Sequence, residues 1–199
     1  MPGIIHCYDK AHRLDNDVGY TEADSPSYHG NVYVRLRVAQ EQMVEEVFPG
    51  KCLTLRVQYP ISSDMHPSCC LSKLLQYPKI FGLSTSMTVL DDLLPQVNQL
   101  SLDRVTGPLN FTNPGRMDNV ALLDKYKDIV DSSITFKCGS PEEMIQFLTI
   151  PRPFSLLDSA RLLTVCPGVL PLEEAVLQVL FRIAENNKSA IISTPTPYK

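Results

Sequence analysis

The segment from residue 31 to 60 constrains the fold of this chain more than any other part of the sequence. Apolar side chains recur at helical spacing over residues 31–48, which predicts an amphipathic helix. Pro49-Gly50 ends that helix, and residues 52–59 then alternate between apolar and polar side chains, which predicts a β-strand with one apolar face. A helix followed at once by a strand is typical of layered α/β folds, so we expect an α/β fold.

The rest of the chain adds several helices but few strands. Helices are predicted near 69–76, 88–102 with a kink at Pro95, 116–127, 140–148 and 171–185; short strands are predicted at 79–83 and 107–111. Two or three short strands make a thin sheet for so many apolar helix faces. We therefore expect a partial sheet.

Composition excludes several classes of function. The chain has 199 residues, 44% of them hydrophobic, and a net charge of −4, which argues against binding to nucleic acid or an anionic membrane. No apolar run approaches the ~18 residues that a membrane-spanning helix needs. The six cysteines form no C-x-x-C pair and no signal-like start precedes them, so we expect reduced thiols in a cytoplasmic protein. The four histidines show no metal-ligand spacing, so no metal site is predicted.

Four segments carry a specific resemblance. They are "GYTEADSPSYHGNVYVRLRVAQEQMVEEV" (19–47), "CLTLRVQYPISSD" (52–64), "SMTVLDDLLP" (86–95) and "LNFTNPG" (109–115). Together they resemble the nucleotide-sugar 3,5-epimerase/4-reductases that complete UDP- or dTDP-rhamnose synthesis, a dTDP-4-dehydrorhamnose reductase-like family of the extended short-chain dehydrogenase/reductase superfamily. The resemblance runs from about residue 3 to 180 and implies a Rossmann-like reductase using NAD(P) and a nucleotide sugar.

The resemblance implies roles for individual residues. Tyr33 matches the family's catalytic tyrosine, which protonates the developing alkoxide during hydride transfer. Arg37 takes the place of the lysine that lowers the tyrosine pKa and bonds the nicotinamide ribose. Tyr33, Arg37, Pro60 and Ile61 are then the predicted cofactor contacts. The predicted substrate contacts are Ser62, Ser63, Asp64, Asn110 and Asn113.

Three departures from the family pattern weaken this expectation. Arginine is a wider, planar cation and does not replace lysine conservatively at a tight contact. Pro2 falls on the family's catalytic threonine and offers neither hydroxyl nor backbone N–H. No G-x-G-x-x-G turn, which would cradle the pyrophosphate, occurs in the sequence. NAD(P) is therefore implied by the resemblance but not expected to bind this chain alone.

We therefore expect the C-terminal portion of a Rossmann-like doubly wound domain plus a small substrate-binding lobe, with the first Rossmann half missing. Residues 1–190 would form one partial reductase-like domain, in which 1–60 hold the tyrosine helix and strand of the Rossmann portion. Residues 61–190 would form the substrate lobe together with the last sheet strand. Residues 191–199 would be a loose tail.

The functional hypothesis is a truncated, catalytically impaired homologue of the rhamnose-forming reductase. One alternative is an active reductase whose N-terminal cofactor half comes from a longer product or a partner. Another is a non-catalytic binding subunit, like the regulatory beta subunit of methionine adenosyltransferase. Relatives use the tyrosine-bearing helix in dimers, so helix 31–48 is the expected surface for a homodimer or a protein partner.

Several residues admit two interpretations. Arg56 could contact a phosphate or close a salt bridge. Ser62, Ser63 and Asp64 could form only a polar turn, and Asn110 and Asn113 could form only turns. Asp91 and Asp92 could simply favour the positive end of a helix.

Overall fold

A computed structural model describes residues 5–7, 9–12, 16–82, 84–140, 143 and 154–193. The helices are α1 Val32–Val47, α2 Cys70–Leu74, α3 Leu90–Leu93, α4 Gln96–Leu102, α5 Asn119–Ile129, α6 Ala160–Val165 and α7 Leu172–Ser193. The strands are β1 Leu53–Arg56, β2 Pro60–Ile61, β3 Lys79–Phe81, β4 Thr88–Val89, β5 Gly107–Asn110 and β6 Lys137–Gly139. The predicted α/β class is confirmed.

The strands form three parallel pairs, β1 with β5, β2 with β4, and β3 with β6. In the longest pair, Leu53 lies opposite Gly107 and Arg56 opposite Asn110. Parallel neighbours need a crossover connection, and helices lie in the chain between the partners of each pair. The predicted substrate contacts Ser62, Ser63 and Asp64 directly follow β2. Asn110 is the last residue of β5, and Asn113 lies three positions after it.

Helix α1 confirms the predicted helix at 31–48 and is capped by Asn31, the residue before its first turn. The side chain of Asn31 accepts a hydrogen bond from the Val34 backbone N–H at 2.8 Å, as a good N-cap does. Val34 is the buried residue of this helix. The residues that set its amphipathic pattern face solvent instead: Val32, Leu36, Met43 and Val47 are 61%, 63%, 57% and 60% exposed. We call these four residues the apolar stripe.

Two predicted elements are shorter than expected. The strand predicted at 52–59 is regular only over β1, Leu53–Arg56. Tyr59 has a φ of 42°, a left-handed conformation that turns the chain before β2 begins.

The helix predicted over 88–102 is wrong in its first two residues, and the kink predicted at Pro95 is found as a break between two helices. Thr88 and Val89 form strand β4, as their β-branched side chains favour. The remainder divides into α3 and α4 at Pro95, which has no backbone N–H to continue the helical ladder.

The other predicted elements are found with shifted ends. Helix α5 starts at Asn119, capped by the Asp118 side chain, and α2 is five residues long. Helix α7 reaches Ser193, so residues 191–193 of the predicted loose tail are helical. Residues 194–199 and nearly all of the helix predicted at 140–148 lie outside the described residues. Strand β6 was not predicted, because its exposed residues show no alternation.

Two main apolar clusters hold the described part together. One joins α2, α5 and α7 through fully buried side chains, including Leu71, Leu122, Val176 and Leu180. The other packs Leu109 and Phe111, from β5 and the residue after it, against α3, α4 and α6. Both clusters put rigid packing beneath the loops that leave the C-terminal ends of β2 and β5.

A buried polar network joins three distant segments. The Gln58 carboxamide donates to Thr85 Oγ1 at 2.5 Å and to the Ser155 carbonyl at 3.2 Å. Thr85 Oγ1 also donates to the Ser155 carbonyl at 3.1 Å. All three residues are almost fully buried, so these bonds satisfy groups that water does not reach.

Among the described helices, none is both long and apolar enough to cross a bilayer.

Candidate functional site

Tyr33 and Arg37 lie one turn apart on α1 and contact each other. The Arg37 guanidinium carbon lies 5.1 Å from the centre of the Tyr33 ring, a cation–π contact. Arg37 Nη1 also donates to Gln40 Oε1 at 2.8 Å. The Tyr33 side chain is 49% exposed. The arginine thus interacts with the ring face and a neighbouring carboxamide on its own helix.

The predicted substrate loop, residues 62–64, follows β2 as a tight polar turn. Ser62 Oγ donates to Asp64 Oδ1 at 2.8 Å, and the His66 backbone N–H donates to the same oxygen at 3.0 Å. The hydrogen bond from His66, with that from Ser62, holds the pKa of the Asp64 carboxyl below its usual range. Asp64 is exposed, so its carboxylate is ionised at neutral pH and open to solvent. Met65, with a φ of 52°, closes the turn.

Ser63 is bound to a carboxylate 28 residues further along the chain. Its backbone N–H donates to Asp91 Oδ2 at 2.9 Å, and its hydroxyl donates to Asp91 Oδ1. Arg182 Nη1 of α7 lies 3.2 Å from the same Oδ1. Ser63 therefore uses both donors inside the protein.

Asn113 makes a second connection to the same helix, α3. Its Oδ1 accepts from the Val89 N–H at 2.8 Å, and its Nδ2 donates to Asp92 Oδ2 at 2.7 Å and to the Leu170 carbonyl at 3.1 Å. Through Asp91 and Asp92, the structure brings the predicted substrate residues Ser63 and Asn113 into one hydrogen-bonded group.

Asn110 belongs to a different group of contacts. Its Nδ2 donates to the carbonyls of Tyr20 at 2.9 Å and Asp158 at 3.0 Å, and its backbone N–H donates to Glu22 Oε1 at 2.8 Å. The residue is fully buried, and its Oδ1 is a buried acceptor without a hydrogen-bond partner. The observed contacts of Asn110 are structural; a substrate contact stays a prediction.

The open question about Arg56 has a structural answer. Arg56 Nε and Nη2 donate to the two carboxylate oxygens of Glu41, on α1, at 3.1 and 2.5 Å. The arginine is 3% exposed. It therefore closes a salt bridge between α1 and β1, the second of the two interpretations.

The two remaining predicted cofactor residues belong largely to the framework. Ile61 is fully buried in the first apolar cluster and pairs with Val89 in the β2–β4 ladder. The carbonyl of Pro60 accepts a weak hydrogen bond from the Cys69 thiol. Each can offer a cofactor mainly its backbone.

The sequence holds no G-x-G-x-x-G turn of the kind that cradles the pyrophosphate of NAD(P). A pyrophosphate needs several backbone N–H groups at a glycine turn that opens a helix. Among the described glycines with positive φ, Gly50 precedes β1, Gly107 opens β5 and Gly115 follows β5. Of these three, Gly115 lies between a strand and a helix, β5 and α5, but it is a single glycine and not a G-x-G-x-x-G turn.

The residues that sequence reasoning missed are Asp91, Asp92 and Arg182. Both aspartates do lie in the first turn of α3, as the helix-end interpretation requires. Their carboxylates, however, bind Ser63, Arg182 and Asn113 across the fold. Two consecutive carboxylates stand out in the sequence, but no sequence signal links them to the 62–64 turn 28 positions earlier.

The described residues hold no group of three or more His, Cys, Asp or Glu side chains arranged to bind a metal ion. The six cysteines are free thiols. Cys69 and Cys166 are buried, and burial raises the pKa of the Cys166 thiol above its ordinary value.

Comparison of the sequence with known proteins shows which proteins the chain is similar to. No protein-family model matches the chain. The bifunctional dTDP-4-dehydrorhamnose 3,5-epimerase/dTDP-4-dehydrorhamnose reductase of Arabidopsis thaliana is 34% identical over 180 residues, which is 90% of this chain and 59% of that protein. A trifunctional UDP-glucose 4,6-dehydratase/UDP-4-keto-6-deoxy-D-glucose 3,5-epimerase/UDP-4-keto-L-rhamnose-reductase of the same plant is 32% identical over 180 residues, 27% of its length.

Solved structures show the same relationship. The L780 UDP-rhamnose synthase from Acanthamoeba polyphaga mimivirus matches with a TM-score of 0.83 and 27% identity, covering 91% of this chain and 62% of that one. A dTDP-4-dehydrorhamnose reductase from Bacillus anthracis, solved with NADP, matches with a TM-score of 0.71 at 18% identity, covering 89% and 62%. The second likeness establishes the fold alone.

The fold is thus a portion of a Rossmann-like α/β reductase fold, and the chain spans about three fifths of the bifunctional relative and of each of the two solved structures. Within that class, the chain is a homologue of the nucleotide-sugar 3,5-epimerase/4-reductases of rhamnose biosynthesis.

Proposed function

We propose that this chain is a catalytically impaired homologue of the NAD(P)H-dependent nucleotide-sugar 4-ketoreductase/3,5-epimerases that make UDP- or dTDP-rhamnose. In this proposal it binds a nucleotide sugar through the 62–64 loop but does not bind NAD(P) or reduce the sugar by itself. The six free thiols are compatible with the reducing cytoplasm, which we propose as its location.

The observation that carries the proposal is the contact between Arg37 and Tyr33. A reductase of this kind needs the cation after the tyrosine to serve the tyrosine hydroxyl and the nicotinamide ribose. Here the guanidinium lies over the ring face at 5.1 Å and donates to Gln40 at 2.8 Å. Both contacts compete with the catalytic role. The unsuitable glycine turns and Pro2, in place of the family's threonine, support the same conclusion.

The test measures the two ligands separately. The purified chain is titrated with NADPH, followed by nicotinamide fluorescence, and with a UDP- or dTDP-4-keto-6-deoxy sugar, followed by calorimetry. We expect saturable binding of the nucleotide sugar, no saturable binding of NADPH and no NADPH oxidation when both are present. Saturable NADPH binding or oxidation would overturn the proposal.

A matched variant separates the two defects. Arg37→Lys combined with Pro2→Thr restores both family residues without supplying a pyrophosphate cradle. We expect this variant to remain unable to bind NADPH. If it binds and oxidises NADPH, the impairment lies in those two residues alone and the cradle argument is wrong.

A second candidate is suggested by the apolar stripe on α1. Four large apolar side chains, each more than half exposed, are unusual on one helix of 16 residues. We propose that α1 associates with a second copy or with a partner, which could be a dinucleotide-binding half or a protein that the chain regulates without catalysis. Supporting evidence would be a stable stoichiometric complex. NADPH binding by that complex would favour the first kind of partner, and its absence the second.

A further inference from the structure

The Asp91 carboxylate joins three separate parts of the molecule. It accepts both the backbone N–H and the hydroxyl of Ser63, and it pairs with Arg182 of α7 at 3.2 Å. We infer that Asp91 is a positioning residue that holds the 62–64 loop in the shape needed to bind a nucleotide sugar, with Arg182 as its anchor on α7. This inference rests on the proposed function of the loop.

The loop depends on this long-range connection because its other bonds are local. Ser62 and His66 bind Asp64, all within four positions of one another. Such bonds fix the curvature of a turn but not its place relative to the rest of the protein. The bonds to Asp91 span 28 positions and tie the turn to another element.

Asp91 is itself held firmly. It lies in the first turn of α3, beside Asp92, which accepts from Asn113 Nδ2 at 2.7 Å and from the Leu170 N–H at 3.2 Å. Leu93 of the same helix is fully buried in the second apolar cluster. A carboxylate on so constrained a helix can impose its position on the loop, rather than follow it.

Arg182 supports Asp91 from the solvent side. The arginine side chain is 53% exposed and that of Asp91 is 14% exposed. Both line a cleft of about 230 Å³ between α3, α4 and α7, so water and ions reach the pair from outside. The inner bonds to Ser63 should thus dominate, and the outer pair should add a smaller, salt-sensitive contribution.

The chemistry that the positioned loop offers suits sugar hydroxyls. Asp64 presents an exposed, ionised carboxylate, which can accept only. The hydroxyl groups of a sugar ring are good donors to such a group, and hydrogen bonds to a charged acceptor are strong. Moving the turn relative to the rest of the site would misplace this acceptor, so its position should affect sugar affinity.

The test follows the Ser63 amide directly. Hydrogen exchange of that amide is measured by NMR in the whole chain, with buried helix α5 amides such as that of Leu122 as an internal reference. We expect Asp91→Ala to speed exchange at Ser63 by about tenfold or more without a comparable change at Leu122. Asp91→Asn keeps one oxygen acceptor and should have an intermediate effect. Arg182→Gln should speed exchange by about two- to fivefold at low salt.

Nucleotide-sugar affinity is measured on the same samples. The dissociation constant for a UDP- or dTDP-4-keto-6-deoxy sugar should rise about tenfold in Asp91→Ala, and less in Arg182→Gln. Lys188→Gln, which removes an exposed cation from the same helix α7, is the matched control and should change neither quantity.

Three results would overturn the inference. They are unchanged exchange at Ser63 in Asp91→Ala, equal acceleration at Ser63 and Leu122, and unchanged sugar affinity despite faster exchange at Ser63. If the wild-type chain does not bind the sugar at all, the proposed function fails. The exchange data then decide separately whether Asp91 positions the loop.

Discussion

Glu41 and Arg56 form a two-point salt bridge that fastens α1 to β1, with both carboxylate oxygens engaged and the shorter N–O distance at 2.5 Å. The Arg56 side chain is 4% exposed and that of Glu41 is 17% exposed. Since Val34 is the buried residue of α1, this bridge is a main attachment of the helix that carries Tyr33 and Arg37.

Removing one partner of this bridge should be costly. Glu41→Ala leaves the buried guanidinium uncompensated, and we expect the free energy of unfolding to fall by about 3–5 kcal/mol. Urea unfolding followed by circular dichroism measures this. Glu45→Ala, which removes an exposed carboxylate from the same helix, should cost less than about 0.5 kcal/mol. Equal effects of the two substitutions would show that the bridge contributes little.

Replacing Asn113 should lower the stability of the protein, because its observed side-chain contacts are all within the protein. Asn113→Ala removes one of two donors to the Asp92 carboxylate. It also removes the observed partners of two further groups, the Val89 N–H and the Leu170 carbonyl. Leaving these groups unpaired should reduce the free energy of unfolding by about 1–3 kcal/mol. Thermal unfolding by calorimetry measures the change, and Asn187→Ala, at an exposed position on α7, is the control. A fully stable Asn113→Ala that loses sugar binding would instead assign this residue to the substrate.

The free energy of unfolding should fall as the pH is lowered below about 6.5, because His6 is buried in its neutral form. His6 is fully buried, both ring nitrogens are unpartnered, and burial, followed by the charge of Arg56, lowers its pKa to about 4. The unfolded chain, with a histidine pKa near 6.5, binds this proton first, so stability is complete above pH 6.5 and declines as pH falls towards 4. The loss should be on the order of 3 kcal/mol.

His6→Phe removes the titrating group, and its stability should be nearly constant between pH 6.5 and 5. His29→Phe, at an exposed position, should retain the wild-type slope. Urea midpoints measured across this range test the prediction. The same slope in His6→Phe and the wild-type chain between pH 6.5 and 5 would contradict it, since this part of the window lies above the ordinary pKa of both aspartates and glutamates.

The apolar stripe should drive association. If α1 binds a second copy, Leu36→Lys should weaken the dimer about tenfold or more, because it puts a charge into an apolar contact. Sedimentation velocity over a range of concentrations measures this. Gln42→Lys adds the same charge at an exposed polar position of the helix and is the control. A wild-type chain that remains monomeric at all concentrations would favour a different partner.

Sequence reasoning recovered the elements whose pattern is local. α1 and β1 were predicted from periodicity, and α7 from apolar residues that recur with a period of 3.6. Strand β4 was missed because two β-branched residues are too few to oppose the helical pattern that follows them. The family motifs predicted a portion of a Rossmann-like domain, and the relatives and solved structures confirm that the chain matches part of such proteins.

The contacts of the site could not be predicted in the same way. Ser63 and Asp91 are 28 positions apart, and no periodicity links them. Whether Arg56 met a phosphate or a carboxylate depended on where α1 lay over β1, which only tertiary packing decides. The roles of Tyr33, Arg37 and the loop residues in ligand binding stay predictions, as does the division of the chain at residue 60.

The network of Gln58, Thr85 and Ser155 bears on how the molecule can be dissected. The Gln58 carboxamide lies before the supposed division at residue 60, and both groups that it binds lie after it, up to 97 positions away. Residues 1–60 and 61–190 could be expressed as separate polypeptides, or one of them exchanged with a relative to make a chimera. Either change would expose this network to water and leave several polar groups without their hydrogen-bond partners. The described part should therefore melt as a single cooperative unit.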